Sequence, residues 1–212
     1  MRHKLLPLLL LALPLTLSGC LTVQTVDTKA ITRIKTVHLN KNIGMPSSII
    51  YQGTAEALSS SLGGAVGGMA AAAAGGTRSE LENSIFDHKV DITAIVHDEF
   101  VKAAQNGGPF TIVPDDVPAD GDLSLNVDEY GLGVSSILST KVYGSLLITA
   151  IVTAPDGTVV WKSIDGARPN DNANTVGYAP DDYLAAPEHF TEAFVKVADI
   201  ASKRLIQDAA NP

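Results

Sequence analysis

Three regimes of hydrophobic patterning run along the chain. Residues 5–17 form an apolar run, residues 57–77 carry no charge, and the remainder alternates short apolar and polar stretches. In that remainder, β-branched residues from Ile31 to Asn40 predict a first strand ending in the turn between Asn40 and Pro46. Ser79 to Gln105 reads as mainly helical, because Ile92, Val96, Phe100 and Ala103 recur at helical spacing and Ile95 widens the stripe. Asn106-Gly107-Gly108-Pro109 stops that helix. Phe110 to Val113 is a short strand, and Pro114 to Asp122 an acidic loop. Leu123, Leu125 and Val127 then alternate with Ser124, Asn126 and Asp128, which predicts a strand with one buried face.

Lys141 to Thr153 is longer and apolar on both faces around Leu146 to Val152, the mark of a central strand. Ala154-Pro155-Asp156-Gly157 is a turn, and Thr158 to Ile164 returns as the second arm of a hairpin. Gly166 to Pro180 reads as a polar loop. The last helix starts near Pro187 and carries the stripe Phe190, Phe194, Val197, Ala201 and Leu205. This order predicts an α+β fold: a mixed or antiparallel sheet of about four to five strands with helices on one face.

The Gly/Ala-rich segment, residues 53–77, interrupts the pattern. Leu58, Leu62, Val66 and Met69 fall on one helical face, and Gly63, Gly64, Gly67 and Gly68 supply small residues for close packing or a partner face. The readings are a loop, a helix packed on its own domain, a face for self-association or a partner, and membrane insertion. Ala, Gly and Ser insert poorly, and glycine weakens a helix, which counts against the last.

The amino terminus has the layout of a secretory signal, with Arg2, His3 and Lys4 ahead of the apolar run. The run ends in Leu17-Ser18-Gly19-Cys20, which resembles the lipobox of bacterial lipoproteins. That resemblance implies that Cys20 is joined to diacylglycerol, that residues 1–19 are removed, and that the new amino terminus is acylated. Leu21 follows the cysteine where an Asp commonly retains such proteins at the inner membrane, which implies outer-membrane anchoring facing the periplasm. Residues 20–30 then form the lipidated terminus and tether, and 31–212 a single α+β domain. Cys20 is the only cysteine, so lipidation also removes a thiol that an exported protein would otherwise leave exposed to oxidation.

Composition narrows the function. With 212 residues, 23 acidic and 15 basic, the chain lacks the basic clusters that nucleic-acid binding needs. One cysteine excludes a disulfide framework within the chain and any multi-cysteine metal site. His38, His88, His97 and His189 lack helical zinc spacing, and no nucleophile elbow, Walker loop or dinucleotide fingerprint occurs. His97-Asp98-Glu99 reads as a solvated helix face. Asp115, Asp116, Asp120 and Asp122, or Asp171 and Asp181, invite a calcium reading but miss the EF-hand pattern. Asn170, Asn172 and Asn174 read as turn residues, and Trp161 as a core aromatic.

No catalytic residue, metal ligand or cofactor site is therefore expected. The carboxyl-terminal half, with its long strand, Pro155-Asp156-Gly157 turn, Val159-Val160-Trp161 return strand and closing helix, looks like small envelope lipoproteins. Transport-associated auxiliary lipoproteins and the TolB amino-terminal or curli-secretion type of domain are the families it is similar to. That resemblance implies a non-enzymatic accessory protein with an envelope partner. The alternative is a periplasmic carrier or sensor holding a lipid or other small ligand between sheet and helices.

The Gly/Ala-rich segment yields a first test. If Gly67 lies in a close-packed face, Gly67→Leu lowers stability by about 1–3 kcal/mol or abolishes association. A change below about 0.5 kcal/mol in urea unfolding, with association intact, assigns the segment to a loop.

Overall fold

The computed structural model describes residues 30–53, 79–136 and 138–212. Seven strands make one mixed sheet. They are β1 (Thr36–Leu39), β2 (Ile50–Gln52), β3 (Thr111–Val113), β4 (Gly121–Val134), β5 (Val142–Thr153), β6 (Val159–Ala167) and β7 (Gly177–Tyr178). The helices with described limits are α1 (Ile92–Gln105), α2 (Pro180–Ala185) and α3 (Glu188–Ala210), and residues 79–87 are helical as well. A short 3-10 turn, Ala30–Arg33, precedes β1 and buries Ile31.

The sheet is organised around the antiparallel pair β4–β5, with β6 antiparallel on the far side of β5. β1 runs parallel to β4, and β3 runs parallel to β1 at the edge. β2 continues along the same side of β4 as β1, and β7 along the same side of β5 as β6. The sheet is thus larger than the four to five strands expected. The two strands that escaped notice are β2 and β7, three and two residues long, too short for alternation to register.

Val142, Gly144, Leu146, Ile148, Ala150 and Val152 form one face of β5, and all are buried. This face meets α3. A Cβ on Gly144 would lie 2.8 Å from the Ala193 carbonyl oxygen, so glycine is what lets helix and sheet approach here. From α3 come Phe190, Ala193, Phe194, Val197, Ala198, Ala201 and Leu205, each fully buried. α1 packs against α3 through Ile92, Val96 and Phe100. Both stripes match the spacing read from the sequence.

Three local readings change. The expected helix Ser79–Gln105 breaks: Lys89 takes a positive φ of 52°, and Asp91 starts α1 afresh by accepting the Ala94 amide at 2.9 Å. The first strand is only Thr36–Leu39, because the turn Ala30–Arg33 occupies its expected beginning. β4 extends to Val134, six residues past Asp128, after a register shift between Val127 and Glu129. The shift keeps Tyr130 and Leu132 buried where strict alternation would expose them, which hid the continuation.

Phe194 has no exposed surface and its ring lies 6.2 Å from that of Tyr130. Phe194→Ala is expected to cost about 3–5 kcal/mol, checked by urea unfolding of the full chain. An unchanged midpoint would remove α3 from the core.

Candidate functional site

The face of the sheet turned away from α3 is where polar side chains converge. Asp128 sits at the β4 register shift, and its carboxylate accepts from Asn126 Nδ2 at 2.7 Å and from Thr149 Oγ1. Beside it, Arg168 Nη2 approaches Glu129 Oε2 at 3.7 Å. Ile50, Gln52, Glu129, Ser145, Arg168 and Pro169 border an open cleft of about 390 Å³. Both charged groups are substantially solvated, so their attraction is small.

The loop after β6 shapes this region. β6 stops at Ala167, which leaves the Gly144 carbonyl on β5 without a strand partner. Asn174, 5% exposed, fills the gap by donating from Nδ2 to Gly144 O at 2.9 Å and to Arg168 O at 3.2 Å. Asn174 closes a turn, its amide donating to Asp171 O at 2.9 Å, and its side chain is also a buried plug, because a stranded carbonyl needs a donor. Arg204 of α3 clamps the same loop, donating to Gly166 O at 2.8 Å and lying 2.7 Å from Asp171 Oδ2. The Ala173 amide, aided by Arg204, holds the Asp171 carboxyl below its usual range.

The acidic residues of the calcium reading diverge into separate partnerships. Asp120 Oδ2 accepts from the amides of Lys35 at 2.8 Å and Thr36 at 3.0 Å, tying the acidic loop to the start of β1. Those backbone donors lower its pKa. Asp115 pairs with Lys41 at 2.8 Å, and Asp122 faces His38 Nδ1 at 3.5 Å. Asp116 and Asp181 are exposed. Among the described residues, no group of three or more His, Cys, Asp or Glu could hold a metal ion.

The histidines are equally dispersed. His38 Nε2 donates to Val117 O at 2.7 Å, His97 sits beside Asp98, and His189 stacks on Tyr178 at 3.8 Å. Tyr178 also contacts Glu192, while Tyr183 donates to Val142 O at 3.1 Å. Burial pushes the Tyr183 phenol far above its usual range. Ser84 and His88 are a serine–histidine pair, with Oγ 3.3 Å from Nδ1. The same Nδ1 lies 2.8 Å from Ser84 O, so it must carry a proton and cannot accept one from the hydroxyl. The arrangement locks structure and offers the Ser84 hydroxyl no general base.

Trp161 is buried, and its Nε1 donates to Asp208 Oδ2 at 3.1 Å. Cys20 and Gly63, Gly64, Gly67 and Gly68 lie outside the described residues. No helix among the described residues is long and apolar enough to cross a membrane. Sequence reasoning missed the contacts of Arg168 and Arg204 and the side-chain role of Asn174, whose partners on β4, β5 and β6 leave no local spacing. Comparison with protein-family models, curated proteins and solved structures finds no match.

Asp120 supplies a test of the loop anchor. Its native carboxyl titrates below the unfolded value, so its contribution is present above about pH 4 and is lost as pH falls through the lowered pKa. Asp120→Ala is expected to lower the melting temperature at pH 7, and the gap to the parent should close on acidification. A gap that persists at low pH would show that the carboxylate is not the anchor.

Proposed function

We propose that this chain is a lipoprotein of the Gram-negative outer membrane, anchored through Cys20 and facing the periplasm, whose folded body serves a cell-envelope complex as a non-enzymatic accessory or assembly component. The observation that carries the reading is the apolar run closed by Leu17-Ser18-Gly19 and the chain's sole cysteine. Several acyl chains, at about 0.8 kcal/mol per buried methylene, anchor durably where one would bind marginally. Leu21 directs the protein outward by the rule of the family it resembles.

The layout of the body supports this reading. The turn Ala30–Arg33 lies against β6, at the end of the sheet where β4 begins. The loop joining β4 to β5 lies at the opposite end, roughly 45 Å away along a strand of this length. Leu138 in that loop is 88% exposed. A tether at one end thus holds an exposed apolar side chain away from the membrane, within reach of a partner. Accessory binding is favoured over carriage of a ligand between sheet and helices. Phe100, Leu123, Ile148, Phe190, Phe194 and Leu205 already fill that space.

Fractionation of cells expressing Cys20→Ser tests the anchor. The variant is expected to leave the outer-membrane fraction and to lose the mass of the acyl groups. Retention in that fraction with an unchanged amino-terminal mass overturns the reading.

A further inference from the structure

Among the described residues, the outer rim of β6 has pairing capacity that no hydrogen bond uses. Gly166 gives its carbonyl to Arg204 Nη1 at 2.8 Å, and its amide donates to Asp165 Oδ1 at 2.6 Å. Its backbone groups therefore turn away from β5. Residues alternate between pairing toward one neighbour and toward the other along a strand, so Lys162 and Ile164 present their amides and carbonyls on the same rim. Among the described residues no hydrogen bond reaches those groups. Ile164 is also 55% exposed, a large apolar side chain at an open edge.

We propose that two copies of this chain pair through β6, antiparallel, about a two-fold axis at Ser163. The free residues flank Ser163 symmetrically, so the rim is its own complement, as an interface between identical surfaces requires. In this register Lys162 stands opposite the second copy's Ile164, and each such pair exchanges both of its N–H···O bonds. No free group of the Lys162–Ile164 rim is left over. The stem of Lys162 also covers the exposed Ile164. Shifting the register to set Ile164 opposite itself would call on Gly166, whose groups Arg204 and Asp165 already hold. Shifting it the other way would oppose two Lys162 ammonium groups. Tethering both copies to one membrane, as the proposed function implies, raises their effective concentration, but the pairing itself does not depend on that reading.

The test is disulfide trapping in the full chain, with the parent chain and its Cys20 as the baseline. The two-fold axis sets the two Ser163 Cα atoms about 4.5 Å apart, within the range a disulfide spans. Ser163→Cys is expected to shift to the mass of a disulfide-linked dimer under mild oxidation. Lys162→Cys and Ile164→Cys, each offset from its own copy, are expected to stay at the baseline. Failure of Ser163→Cys to cross-link, equal cross-linking of all three variants, or capture of a different protein at position 163 would overturn the proposal.

Discussion

The contact on which the rest of the structure depends is α3 laid against one face of β5. Gly144 removes a side chain where the Ala193 backbone needs the space, and small alanines along α3 keep the approach close. Phe190, Phe194 and Leu205 then reach the sheet, each contributing about 1.5–3 kcal/mol by leaving water. Because β5 lies between β4 and β6, fixing its helix-facing side fixes the faces of both neighbours.

The register shift in β4 is the second constraint, and it has opposite consequences on the two faces. Toward the helices it returns Tyr130 and Leu132 to the core. Toward solvent it sets Asp128 beside Asn126 and Thr149, and Glu129 opposite Arg168. The loop that carries Arg168 is held by Asn174 and Arg204, so a polar surface rests on backbone groups that strand pairing leaves unmet. Asp128, Glu129, Arg168 and Arg204 each have a structural partner there.

The two sheet edges are managed differently. β3 is only three residues long, and a short edge offers little to an incoming strand. β6 is nine residues long and is protected at Gly166, where Arg204 and Asp165 take its backbone groups, while Lys162 and Ile164 remain available. The exposed Ile164 on that edge and Leu138 in the β4–β5 loop both lie away from the packed interior.

The sequence by itself determined what is local. Stripes at helical spacing marked α1 and α3, alternation marked the first part of β4, and Pro155-Asp156-Gly157 marked the β5–β6 hairpin, because each depends on neighbours within a few residues. The α+β class followed from the order of those elements. The resemblance of Leu17-Ser18-Gly19-Cys20 to a lipobox, on which the proposed anchoring rests, is likewise a contiguous pattern that needs no fold. Tertiary structure alone decided the rest. β2 and β7 are strands only because β4 and β5 offer them free edges, and β4 continues past Asp128 only because a register shift restores its buried face. Asn174 reaches Gly144 across 30 residues and Arg204 reaches Gly166 across 38. Such partners are chosen by unmet backbone groups brought together in space, and no spacing along the chain records them.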